Sequence, residues 1–126
     1  MRRGVLLFAH GARDPRWAEP FAAIATRVRD HEPDRAVCLA FLELMPPTLA
    51  EAGAALVAEG CTEVDVVPLF LGAGGHVRKD LPALLEALRA AHAGVQWRLQ
   101  ASIGGRPRVI EAMADAVVSD LSDNKS

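Results

Sequence analysis

The sequence has no long hydrophobic run, only two cysteines, no excess of basic charge and no low-complexity stretch. Each absence removes a class of protein. The basic start Met1-Arg2-Arg3-Gly4 is followed by apolar residues only from Val5 to Ala9. That is shorter than the roughly 7–15 residues of a secretion signal or the roughly 20 of a membrane span. Cys38 lies inside an apolar, strand-like run and Cys61 in a Gly-Cys-Thr turn. They read as a small buried hydrophobe and an incidental thiol, not as a disulfide or a CxxC site, and a cytoplasmic protein is expected. A formal charge of −2 with scattered Lys and Arg lacks the concentrated basic face of a nucleic-acid binder.

What is present is an ordinary globular composition: 126 residues, 51% apolar and 24% charged. That is enough chain for one domain with a core of its own. Val5–Ala9, Val37–Leu42 and Val64–Val67 are short continuous apolar runs, as in strands buried on both faces. Val95–Leu99 alternates, as an edge strand with one partly exposed face would. Between the runs lie helical patterns. Phe21, Ile24, Ala25 and Val28 share one face, with the helix ending at His31 before Glu32-Pro33. Leu49, Ala52 and Leu56 share another, behind a Thr48 N-cap with Glu51 three residues on as in a capping box. Leu81, Leu84, Leu85 and Leu88 form a third stripe, with Asp80 as the expected cap and Pro82 in the expected first turn. Ile110, Met113, Val117 and Leu121 mark a last helix. Residues 1–121 are expected to form one α/β domain and Ser122 to Ser126 to fray.

Strands alternating with helices require right-handed crossovers and a parallel sheet. Helices on both faces require the strand order to reverse once, so the expected fold is a three-layer α/β/α domain with a four-stranded parallel sheet in the order 2-1-3-4. Strands 1 and 3 then meet at the switch point, beyond whose carboxyl ends ligands of open α/β sheets bind.

The loops after strands 1, 2 and 3 carry His10, Glu43 and His76, each separated from the next by 33 residues. The topology gathers all three at one edge. Two imidazoles and a carboxylate suit a borderline divalent metal such as Co, Ni, Fe or Zn. Gly72, Gly74 and Gly75 allow a ligand to approach the backbone near His76. Alternatively, a glycine-rich connection is only a tight turn and a lone loop histidine only a solvated side chain. Arg13, Arg16, Arg78, Lys79 and Arg106 fall in loops on the histidine side, which suggests a ligand with several carboxylates or phosphates. His31 and His92 fall in last helical turns, where charge complements the helix dipole. The familiar phosphate signatures fail: Val77 stands where GxGxxG needs its last glycine, and no Lys-Ser/Thr pair of a P-loop follows. His10-Gly11-Ala12-Arg13 resembles the histidine phosphatases, but Ala9 stands where they place an arginine.

Phe8-Ala9-His10-Gly11-Ala12-Arg13-Asp14-Pro15, Phe41-Leu42-Glu43 and Val67 through Pro82 together resemble the CbiX family of sirohydrochlorin chelatases over nearly the whole chain. The resemblance implies a chelatase-like fold and an ATP-independent lyase that inserts a divalent metal into sirohydrochlorin, in cobalamin, sirohaem or porphyrin-type biosynthesis. It implies metal binding by His10 and His76 and an active-site acid at Glu43. Arg13, Gly74, Gly75, Arg78 and Arg106 are the expected substrate-binding residues. Cobalt is the preferred metal substrate, with nickel or iron as alternatives, and no organic cofactor is expected. Ala12 stands where the family often has Ser. The chain is about half as long as two-domain members and resembles their short form, so a homodimer enclosing the tetrapyrrole is expected. The competing class is a protein that binds metal or tetrapyrrole without turnover.

Overall fold

The computed structural model describes the backbone of residues 2–72 and 75–123; the side chains of residues 75–78, 120, 122 and 123 lie outside the described set. The chain runs β1 (Arg2–Ala9), a 3-10 turn (Pro15–Trp17), α1 (Ala18–His31), β2 (Ala36–Phe41), α2 (Leu49–Ala58), β3 (Cys61–Pro68), α3 (Gly75–Ala91), β4 (Gln96–Leu99), a second 3-10 turn (Ile103–Gly105) and α4 (Pro107–Asp123). The four strands form one parallel sheet in the order β2-β1-β3-β4, the expected topology. β4, the run that alternates in sequence, takes the edge, with Trp97 its buried residue. Among the described residues no helix is long and apolar enough to cross a membrane.

Period-two alternation divides the side chains of the sheet between two unequal cores. One face carries Leu6, Phe8, Ala36, Ala40, Val64 and Val66, packed with Leu49, Ala52 and Leu56 of α2 and Leu81, Leu85 and Leu88 of α3. On the other face Leu7 and Val37 are buried with Ala25 of α1, flanked by half-buried Val5, Val28, Leu39 and Val67. The cap of α2 is as the sequence predicts: Glu51 N–H donates to Thr48 Oγ1 at 3.1 Å and Thr48 N–H to Glu51 Oε1 at 2.9 Å.

Three expectations change. α3 begins at Gly75, not near Asp80, so Pro82 lies inside the helix. An interior proline loses one backbone bond and crowds the turn before it, a cost that burial of Leu81, Leu85 and Leu88 in the core offsets. His76 and Arg78 therefore sit on the first turn of α3 and not in a loop. Cys61 is not a turn thiol: it opens β3 and is buried, with burial raising its thiol pKa as it does that of half-buried Cys38. Finally, Ile110, Met113, Val117 and Leu121 of α4 are all about half exposed, because among the described residues α4 packs mainly on its own 3-10 turn. The backbone of α4 is helical to Asp123; residues 124–126 lie outside the described residues.

Candidate active site: an apolar cleft beside His10

From adjacent β1 and β3 the chain leaves toward opposite faces, to α1 and α3, and a crevice opens between the two exits. The backbone extends both strands past their ladders. Leu69 N–H donates to Phe8 O at 2.7 Å and Leu42 N–H to Ala9 O at 2.8 Å, so the three loops start at one level. His10 follows the end of β1. Its ring lies against Phe70, centroids 4.5 Å apart, and its carbonyl accepts the Trp17 indole N–H at 2.7 Å. Phe70 in turn packs edge-on to Phe8 in the core, at 5.9 Å. The imidazole thus stands on a rigid aromatic base.

The crevice is a cleft of about 380 Å³, at the low end of the small-molecule range of about 300–1,000 Å³. Trp17, Phe21 and Ile24 form one wall, Leu69 to Gly72 the floor, and Ile103, Val109 and Met113 the far wall. The far wall is held by the 3-10 turn. Gly104 N–H donates to Phe70 O at 2.9 Å, and a Cβ at Gly104 would run into the Leu71 carbonyl. His10 is the one titratable side chain among the described lining residues. Such a site can hold the face of a flat apolar ring by dispersion and desolvation, and present a single nitrogen lone pair to it.

Glu43 does not line the cleft; it is exposed on the neighbouring loop. Gly11, the residue after His10, presses directly on the Glu43 carbonyl, in a space that only a glycine fits. Leu44, next to Glu43, is held at φ 68°, a conformation disfavoured for a branched L-residue by about 1–2 kcal/mol. Strain of this kind collects at functional loops. The structure thus brings the loops of His10 and Glu43 together. The side chains of His76 and Arg78, and Gly74 altogether, lie outside the described residues, while the backbone of Gly75 opens α3. No cluster of three or more His, Cys, Asp or Glu suited to a metal is found among the described residues.

The cations are placed unequally. Arg13 and Lys79 are exposed. Arg16 is tied to Asp14 by a 2.7 Å ion pair, and that bond holds the Asp14 carboxyl below its ordinary range. Arg106 donates to Ala101 O at 2.9 Å and lines a second cavity, on the α1 side of the sheet, away from His10. The apolar walls, Trp17, Ile103 and Met113 above all, are the residues that sequence reasoning misses. Trp17 and Met113 are 43% and 47% exposed. Large apolar side chains left half in water around a cavity are a binding signal, but sequence periodicity assigns Phe21 and Met113 simply to helix faces.

An open, doubly wound sheet with an apolar cleft at its switch point defines an α/β protein that receives its ligand at the carboxyl edge. Within that class, the chain belongs to the CbiX family, whose model matches residues 4–120. It is 31% identical over 114 residues to a sirohydrochlorin cobaltochelatase of Sulfurisphaera tokodaii, covering 90% of each chain. It is 37% identical over 82 residues to one of Methanosarcina acetivorans, a match that spans 65% of this chain and 63% of that protein. The CbiX protein of Marinobacter aquaeolei VT8 superposes with a TM-score of 0.86 and 38% identity over 97% of this chain and 99% of that one. The sirohydrochlorin chelatase SirB of Bacillus subtilis subspecies spizizenii, in complex with cobalt, superposes with a TM-score of 0.83 and 25% identity over 94% of this chain and 51% of that one. The chain thus spans about half the length of SirB.

Proposed function

We propose that the protein is a sirohydrochlorin metal chelatase, with cobalt as its preferred metal substrate. The observation that carries this reading is the imidazole of His10, fixed on Phe70, at the end of an apolar cleft. The names of the Sulfurisphaera and Methanosarcina relatives support it. SirB structures hold Fe³⁺ and cobalt, and nickel and iron stand as the competing metals.

Metal insertion replaces the pyrrole N–H protons of a macrocycle with a divalent cation. The protein must hold the ring, deliver a weakly bound metal and accept protons. In this reading Trp17, Phe21, Ile24, Ile103 and Met113 hold the ring face and exclude water, so that the metal meets the ring nitrogens in a medium of low dielectric. Neutral His10, with His76 of α3, ligates the incoming metal. Borderline imidazole ligands bind such a cation without trapping it as thiolates would. Glu43, on the adjoining loop, or one of the histidines accepts the protons. Arg13 and Arg78 meet the carboxylates on the macrocycle's rim, with Gly74 and Gly75 admitting the ring close to the backbone. Arg106, turned to its own Ala101, is given no part in binding.

A cleft of 380 Å³ covers one part of a broad, flat ring. A homodimer that closes the other face completes the site, with residues 1–121 as the domain that each copy contributes. The cytoplasm is its place, since the free thiols of Cys38 and Cys61 suit a reducing compartment.

The test is direct: purified protein, sirohydrochlorin and Co²⁺, Ni²⁺ or Fe²⁺ in separate reactions, with the visible spectrum followed over time. Enzyme-dependent conversion to metallated product, fastest with Co²⁺, is expected. Tight binding of ring or metal with no acceleration over the uncatalysed reaction would replace the enzyme by a binding protein.

A further inference from the structure

Three hydrogen-bond donors on the walls of the cleft are already committed within the protein. The Trp17 indole N–H donates to His10 O at 2.7 Å, Leu69 N–H to Phe8 O at 2.7 Å and Gly104 N–H to Phe70 O at 2.9 Å. The described cations stand apart from the cleft. Arg16 is held by Asp14 and Arg106 lines the cavity on the α1 side of the sheet, while Arg13, Lys79 and Arg108 are exposed. Among the described residues that line the cleft none is a lysine or an arginine. A carboxylate pushed between these walls would exchange its water for apolar side chains, at a high cost. A bound macrocycle therefore keeps its rim carboxylates in the solvent beyond the mouth and presents its face and nitrogen core to His10.

What the walls offer instead is apolar area. Trp17, Ile24, Leu71 and Met113 all line the cleft and are 41–69% exposed. Alkyl groups on the rim of a ring would cover them, and each buried methylene strengthens binding about fourfold. A rim carboxylate that meets an exposed cation gains no more than about fivefold, and less as salt rises. Exchanging carboxylates for alkyl groups thus leaves the affinity level or raises it. The described walls select a flat ring with free nitrogens, and they do not count its acids.

We propose that the same cleft takes dicarboxylate porphyrins, flat tetrapyrroles with a mostly alkyl rim, as a second substrate class, and inserts Co²⁺ into them. The proposal rests on the chelatase reading above. The step is unchanged. Co²⁺ bonds to the ring nitrogens as both pyrrole N–H bonds break, the two protons pass to Glu43, a histidine or water, and the metal stays divalent. Rim carboxylates take no part in those bond changes, so a ring that lacks most of them loses nothing at the reacting centre.

The experiment uses the full chain and compares uroporphyrin, coproporphyrin and mesoporphyrin, the octa-, tetra- and dicarboxylate versions of one flat ring, with sirohydrochlorin as reference. Binding is read from the fluorescence of the porphyrin, kept dilute enough to stay monomeric, and Co²⁺ insertion from the loss of that fluorescence. Mesoporphyrin should bind no more than about tenfold more weakly than uroporphyrin, and added salt should weaken uroporphyrin alone. Sirohydrochlorin should displace mesoporphyrin. Met113→Glu, on a half-exposed helix face, should keep its far-ultraviolet circular dichroism and bind both porphyrins at least about tenfold more weakly. Co²⁺ insertion into mesoporphyrin should depend on the protein. If sirohydrochlorin is metallated and mesoporphyrin is not, or if mesoporphyrin binds more than about tenfold more weakly than uroporphyrin, the second substrate class is overturned and the chelatase stands. Mesoporphyrin that sirohydrochlorin cannot displace, or that Met113→Glu binds as well as the wild type does, is held elsewhere, which overturns it equally. Failure to metallate sirohydrochlorin overturns the chelatase reading and the second substrate class with it.

Discussion

Adding one methyl group at Gly11 tests the geometry of the site most directly. A Cβ there overlaps the Glu43 carbonyl oxygen and lies 2.8 Å from its carbonyl carbon and 3.2 Å from Met45 Cγ. Since ordinary carbon contacts are about 3.5–4.0 Å, the two loops must part by roughly 1–2 Å. The Glu43 backbone has little freedom to retreat, because Leu42 N–H is bonded to Ala9 O and Phe41 N–H to Pro47 O, both at 2.8 Å. Overpacking of this kind costs about 1–3 kcal/mol, a fall of roughly 3–15 °C in melting temperature for a domain of this size. The functional cost is larger, because displacing catalytic groups by about 1 Å lowers rates on the order of 100-fold. Gly11→Ala should therefore lose metal insertion far beyond its loss of stability. Gly105→Ala is the control: a Cβ there meets nothing within 4 Å, so its melting temperature and rate should match the wild type. The assay pairs thermal unfolding with the initial rate of insertion into sirohydrochlorin. Wild-type melting and rate in Gly11→Ala would refute the claim that contact between the His10 and Glu43 loops builds the site.

His10→Ala should lower the insertion rate by about 10²–10⁴-fold, the scale of a lost proton-transfer or ligating group. Its stability should fall by only about 0.5–1.5 kcal/mol for the lost ring contact with Phe70; a near-normal rate removes His10 from the site. Trp17→Ala opens one wall of the cleft and deletes the bond to the His10 carbonyl, so KM for the tetrapyrrole should rise, and an unchanged KM would show that the ring does not lie there. Thr48→Ala should destabilise the fold by about 1 kcal/mol through its lost cap, measured by urea unfolding, while an unchanged midpoint would mean that the capping box contributes nothing. Hydrogen bonds from the Thr48 backbone and side chain hold the Glu51 carboxyl below its ordinary range. Its stabilising contribution is therefore complete above about pH 4.3, the value of a free Glu, and is lost as pH falls through the lower folded value. The stability gap between wild type and Glu51→Ala should narrow on acidification, and a constant gap would contradict the cap.

The sequence by itself determined the order of strands and helices, the parallel sheet and its 2-1-3-4 order, because buried runs and helical stripes report period directly and crossover handedness leaves few topologies. It also determined the Thr48–Glu51 cap and the carboxyl-edge placement of His10 and Glu43, which depend on neighbours in the chain. The start of α3 at Gly75 was not legible: glycine and an internal Pro82 argue locally for a loop, and tertiary contacts of Leu81, Leu85 and Leu88 override that preference. Only the tertiary structure decided that Trp17, Ile103 and Met113 wall one cleft, since they come from three elements far apart in the chain. It alone turned Arg106 away from the cleft and α4 away from the sheet. The apolar stripe of α4 is legible in the sequence, whereas its standing about half exposed, beyond a 3-10 turn whose Gly104 is bonded to Phe70 O, depends on the path of the backbone, which no side-chain pattern encodes.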